Sequence, residues 1–218
     1  VTRIGAAAMR EQPIDFETLR YTPLEIESSP VRCPSAQASR AMEEEIAAAR
    51  AAGDTLGGEV AVAIHGVAPA LGSYRGGGMM ARLSKAAFSV NDVVSVSFGS
   101  ARDMTRRRGS AAYDSAVLGA HGFAHATNIS GGIEGGLTTG ASVVMRVGVA
   151  PSASLRAPQK SIDLETLSDA ESSSAAYSPC LVGGVAVAIE AEIAFALASA
   201  YQERFGGMAM SDIHSSYD

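Results

Sequence analysis

Residues 127–136 read Thr127-Asn128-Ile129-Ser130-Gly131-Gly132-Ile133-Glu134-Gly135-Gly136, inside a longer run, residues 119–140, that also holds Gly119, Gly122 and Gly140. Glycine at this density supplies tight turns and lets backbone pass close to a ligand or to another chain. The run is not a P-loop, because no Lys followed by Ser or Thr closes it, and it does not match G-x-G-x-x-G before a helix. On either side, residues 93–98 and 142–149 are rich in β-branched side chains and read as strands. Further out, residues 59–67 alternate Val60, Val62 and Ile64 with small residues and predict another strand, and residues 79–90 predict a helix.

Towards the N-terminus, Ser35 is a candidate N-cap for a helix that runs through Met42 and Ile46 and closes at Gly53. Before it, residues 11–34 carry Pro13, Pro23, Pro30 and Pro34 without a clear period and read as an irregular arm. Towards the C-terminus, residues 163–178 read as a Ser-rich, acidic, exposed loop. Residues 181–205 repeat Val182, Val185, Ala186, Ile189, Ile193, Ala196, Leu197, Ala200 and Phe205 at helical spacing, with a stop at Gly206 and Gly207. That segment is long enough to span a bilayer, but Glu190, Glu192, Gln202, Glu203 and Arg204 interrupt it. The expectation is a buried or half-buried helix of a folded core.

The composition agrees with a folded chain. In 218 residues, 47% are hydrophobic and 18% charged, which excludes disorder throughout and supports a sizeable core. A net charge of −6 leaves no basic excess to displace counterions, which argues against nucleic acid and anionic membranes as partners. Cys33 and Cys180 form neither a CxxC motif nor a disulfide framework, and they read as reduced thiols of a cytoplasmic protein. The first residues hold no signal-peptide core. The chain opens on Val1, consistent with a GTG start or with a beginning inside something longer.

Local chemistry gives few candidates. His121 and His125 are four residues apart without the intervening Glu of a zincin, and His65 and His214 stand alone, so no metal site is expected. Glu43, Glu44 and Glu45 are consecutive and point in different directions on a helix, which suits a solvated face. Ser110 has no recognisable nucleophile pattern around it. Arg106, Arg107 and Arg108 form the basic cluster, able to hold a phosphate or carboxylate by forked hydrogen bonds or simply to line a solvated turn. These observations alone describe an α+β protein with a glycine-rich binding surface.

Taken in order, Ser29-Pro30-Val31-Arg32-Cys33-Pro34, Ala52-Gly53-Asp54-Thr55-Leu56-Gly57-Gly58, Leu71-Gly72-Ser73, Arg108-Gly109-Ser110, the 127–136 stretch and Ala157-Pro158-Gln159-Lys160-Ser161-Ile162-Asp163-Leu164 resemble the C-terminal portion of the chorismate synthase family. The resemblance implies an α+β fold of the β-α-β sandwich type, incomplete at the N-terminus, with residues 1–218 as a single domain, 1–34 as its arm and 206–218 as a tail. It implies a homo-oligomer, a tetramer. It also implies anti-1,4 elimination of phosphate from 5-enolpyruvylshikimate 3-phosphate to give chorismate, with reduced FMN as cofactor.

By the same resemblance, Asn91, Asp92, Gly135, Pro151, Ser152 and Ser154 fall on flavin contacts, and Arg107 and Asn128 are candidates for substrate; no catalytic residue can be named. Several positions depart from the pattern. Ala150 stands where the family has a lysine, Ala176-Tyr177-Ser178-Pro179-Cys180 lacks an arginine and an aspartate, Met80 replaces an aspartate, and Tyr113 stands where a histidine or another polar residue is common. The family's N-terminal histidine loop and arginine motif are absent. This points to a second chain that supplies them; the alternatives are a noncatalytic structural or regulatory relative, and a repurposed flavin or ligand binder.

Overall fold

A computed structural model describes residues 1–9, 21–119, 122–207 and 209–217. The order of elements is β1 (Arg3–Ile4), β2 (Ala7–Ala8), α1 (Pro23–Glu27), α2 (Ala36–Ala52), β3 (Gly58–Ile64), α3 (Met79–Phe88), β4 (Val93–Phe98), α4 (Ala101–Met104), β5 (Ala116–Gly119), β6 (Gly122–His125), β7 (Ile133–Glu134), β8 (Leu137–Thr138), β9 (Val143–Val149), β10 (Gln159–Ile162), β11 (Asp169–Ser172), α5 (Val182–Phe205) and α6 (Met210–Tyr217). A five-stranded sheet has the order β2-β1-β3-β9-β4, and β5-β6, β7-β8 and β10-β11 form separate antiparallel pairs. The chain is α+β. Central β9 buries Val143, Val144, Met145, Val147 and Val149, the near-continuous apolar run of a strand covered on both faces.

The described residues divide into two compact units, one drawn from residues 1–60 and 148–187, the other from 61–147 and 188–217. In the first, the Ser35 hydroxyl accepts from Ala38 N–H and Gly53 closes α2 at φ 71°, so both predicted caps form. Helix α2 buries Ala38, Ser39, Met42 and Ala49 and packs on β1 and β2. The Thr55 hydroxyl donates to the Ser152 carbonyl at 2.7 Å, and the Tyr177 hydroxyl donates towards the Asp54 carbonyl at 3.1 Å, which pins the turn after α2.

In the second unit, α3 buries Met79, Leu83, Ala86 and Ala87 and leads into β4. Thr138 is 3% exposed. Its hydroxyl accepts from Leu71 N–H at 2.9 Å and donates to the Ala68 carbonyl at 2.6 Å, satisfying two backbone groups that have no water to turn to.

Several expectations need correction. The 11–34 arm, described from residue 21 onward, contains helix α1, started by a capping box in which the Thr22 hydroxyl accepts from Glu25 N–H and the Glu25 carboxylate accepts from Thr22 N–H. The exposed loop at 163–178 contains β11, because Asp163 nucleates a turn by accepting from Glu165 and Thr166 N–H groups and the chain folds back on β10. In the segment set apart as a tail, for which no secondary structure is expected either way, α6 forms and its Tyr217 ring lies edge-on to Phe205 with centroids 5.2 Å apart. Helix α5 spans nearly the expected range and buries Val182, Ala186, Ile189, Ile193 and Ala200 along one stripe.

Candidate functional site

The glycine-rich segment of the second unit is built on a crossing of two backbones. A Cβ on Gly99, at φ 50°, would lie 2.1 Å from the Ile129 carbonyl oxygen, and one on Gly131, at φ 69°, would lie 2.4 Å from Gly99 N. Glycine is required at both. The contact lets Ser100 N–H donate to the Ile129 carbonyl and Gly99 N–H to the Val144 carbonyl, both at 2.9 Å, so residues 127–132 are fixed between the end of β4 and the start of β9.

Polar side chains complete the crossing. The Asn128 amide donates to the Ser142 carbonyl at 2.8 Å, and the Ser142 hydroxyl lies 2.8 Å from His65 Nδ1. The half-buried Asp114 carboxylate accepts from the Thr127 hydroxyl, from Ile129 N–H at 2.7 Å and from Ser130 N–H at 2.9 Å. Burial pulls the Asp114 carboxyl upward, but the bonds from Thr127, Ser130 and Ile129 outweigh it and hold the group below its ordinary value. Sequence reasoning missed Asp114, His65 and Ser142 as a cluster. The hairpin β5-β6, with Ala116 opposite His125, brings Asp114 level with Thr127, and no short-range motif signals that pairing.

The glycines of the 127–136 stretch do different work. Gly131, Gly132 and Gly136 are hemmed in by backbone, the last with a Cβ position 2.4 Å from the Ser73 carbonyl oxygen, whereas Gly135, at φ 57°, borders open space. Asn91 and Asp92 are exposed in the turn between α3 and β4, with Asp92 at φ 68°, and Arg106, Arg107 and Arg108 are exposed after α4. All of these belong to the second unit, while Pro151, Ser152 and Ser154 belong to the first. His121 lies outside the described residues.

The family model for chorismate synthase matches residues 1–202. The chain belongs to the chorismate synthase family. It is 40% identical over 209 residues to the chorismate synthase of Acidothermus cellulolyticus, covering 95% of this chain and 53% of that protein. It is 39% identical over 210 residues to the one from Moorella thermoacetica, covering 95% and 54%. A solved structure titled Crystal Structure of Chorismate Synthase superposes with a TM-score of 0.80 at 24% identity, over 100% of this chain and 60% of that one, and it shares the fold. The chain therefore spans about half the length of the curated chorismate synthases it matches.

Reduced FMN, implied by the family, presents a phosphate, and the residues expected at its position do not make an anion seat by themselves. The Ser152 carbonyl accepts from the Thr55 hydroxyl at 2.7 Å and the Ser152 hydroxyl accepts from Ser154 N–H at 3.3 Å, which leaves the Ser152 hydroxyl's own hydrogen to donate. Position 150 offers a methyl group. Residues 150–154 thus offer hydroxyl donors but no cation for the flavin phosphate.

Proposed function

We propose that this chain supplies the C-terminal part of a chorismate synthase site, which is completed by the N-terminal part of the family fold that these residues do not span, the two together removing phosphate and a proton from 5-enolpyruvylshikimate 3-phosphate to give chorismate. The observation that supports this reading is helix α5. Within its second-unit part, Ala191, Ala194, Phe195 and Ala198 are exposed, with Phe195 at 74%. Alongside the buried stripe of Ile189, Ile193 and Ala200, the helix therefore carries apolar surface that the described residues leave uncovered. Phe195 also lines an open groove of about 580 Å³ between α3 and α5, rimmed by Arg82, Lys85 and Glu192. An uncovered core helix, in a chain that matches only 60% of a homologous fold, calls for the remaining portion as its cover.

The cations that the flavin phosphate requires are, in this reading, donated by that remaining part of the fold. This chain's part is to hold the glycine crossing rigid and to present the 106–108 arginines and Asn128. The test is a flavin-fluorescence titration with and without 5-enolpyruvylshikimate 3-phosphate, on the chain alone and mixed with the unmatched N-terminal portion of the Acidothermus relative. The expected result is weak or no FMN binding alone, and saturable binding tightened by substrate in the mixture, with chorismate formed from reduced FMN under anaerobic conditions.

A second reading is a noncatalytic structural or regulatory relative, favoured by the alanines at 150 and 176 where the family carries charge. It predicts complex formation in the mixture without chorismate. An absence of both complex and turnover would refute the first reading.

A further inference from the structure

The candidate substrate residues Arg107 and Asn128 are separated by two segments of chain that meet at one carboxylate. Asp114 ends the segment that carries the exposed arginines and the turn Gly109–Ala111, and it stands at the mouth of the β5-β6 hairpin opposite Thr127. Beyond the hairpin its two oxygens divide the work. Oδ1 accepts from the Thr127 hydroxyl and Ile129 N–H, and Oδ2 accepts from Ser130 N–H, so the flanks of Asn128 are held on both sides. The Asn128 carbonyl in turn accepts from Gly131 N–H at 3.3 Å, which carries the constraint into the glycine crossing. A charged acceptor that collects several donors makes stronger bonds than a neutral one, and no other residue type of this size accepts in three directions at once.

We propose that Asp114 is a positioning residue, setting the backbone of Thr127–Ser130 against the arginine segment so that Arg107 and Asn128 are presented together to an anionic, phosphate-bearing substrate. The inference rests on the functional reading above for the identity of that substrate. Its geometric part stands on the three hydrogen bonds. Because the Asp114 carboxyl lies below its ordinary 3.8, the anchoring is complete above that value and is lost as pH falls through the lower value of the folded protein.

The experiment compares the full chain with Asp114→Asn and with Thr138→Val, a control that breaks a buried bond pair elsewhere in the same unit. Backbone amide exchange at Ile129 and Ser130 is followed by NMR across acid and neutral pH, and binding of 5-enolpyruvylshikimate 3-phosphate is measured by calorimetry in the mixture described above. Asp114→Asn should accelerate exchange at those two amides by about ten- to a hundred-fold at neutral pH. It should also abolish their acid-dependent loss of protection and weaken substrate binding by about ten-fold or more, the equivalent of one lost hydrogen bond. Thr138→Val should lower overall stability and leave the pH profile of Ile129 and Ser130 intact.

Unchanged exchange at those amides in Asp114→Asn overturns the anchoring, as does the same local change in Thr138→Val. Altered exchange with unaltered substrate affinity overturns the positioning role. Failure of the unsubstituted protein to bind substrate in the mixture overturns the functional reading instead, and exchange still decides the anchoring.

Discussion

Replacing Gly99 and Gly135 in turn by alanine separates two costs that a left-handed glycine usually combines. Both have positive φ, 50° and 57°, so alanine at either bears the same backbone penalty of about 1–2 kcal/mol. Around Gly135 nothing lies within 4 Å of the added methyl group, and the penalty should end there. At Gly99 the methyl would lie 2.1 Å from the Ile129 carbonyl oxygen and 2.5 Å from Gly131 N. Those are backbone atoms of a second segment, so relief requires the two chains to part. Parting breaks the bonds from Ser100 N–H to Ile129 and from Gly99 N–H to Val144.

Two disrupted backbone bonds at about 1–2 kcal/mol each, added to the conformational term, bring Gly99→Ala to about 3–6 kcal/mol. In a chain of this size each kcal/mol moves the melting temperature by about 2–4 °C, so the expected losses are about 2–8 °C for Gly135→Ala and about 6–24 °C for Gly99→Ala. Thermal unfolding followed by circular dichroism reads both. Equal losses, or a larger loss for Gly135→Ala, would refute the account of the crossing.

Thr138→Val keeps the shape of the side chain but strands Leu71 N–H and the Ala68 carbonyl; a loss of about 2–4 kcal/mol by urea denaturation is expected, and a change under 0.5 kcal/mol would contradict it. Burial pushes both thiols up, and Cys33 is 1% exposed. At neutral pH a disulfide reagent should therefore titrate Cys180 slowly and Cys33 more slowly still, with rapid reaction of both only after denaturation; fast labelling of Cys33 in the folded protein would show that it is not buried. Arg82 lies 2.6 Å from the exposed Glu203, and its hydrogen bond holds that carboxyl below the ordinary 4.5. The pair's contribution is present above that value and fades as pH falls, so Arg82→Met should raise the Glu203 titration seen by NMR while leaving the melting temperature nearly unchanged.

Elements with local signals were legible in the sequence: Ser35 and Gly53 bound α2, the β-branched run marks β9, and the helical repeat marks α5. The capping box at Thr22 and Glu25 was equally local, and the prolines around it hid it. Strands β10 and β11 escaped because their exposed residues carry no alternation, and the hairpin depends on a side-chain turn at Asp163. In the site, the glycine stretch stood out, but the reason for each glycine did not. Gly131 is dictated by Gly99, 32 positions away in sequence, and Asp114 by donors 13 to 16 positions away, separations at which composition and period are silent.

Helix α5 carries an 18-residue window apolar enough, with no more than two charges, to pass by length and composition as a membrane span, while only 22% of that window is buried. The two charges in its middle are Glu190 and Glu192. A charged side chain at the centre of a nascent helix opposes lateral insertion from the translocon by about 2.5–3.5 kcal/mol, whereas leucine favours it. This pair of carboxylates thus weighs against membrane insertion of a segment that length and mean hydropathy alone would admit.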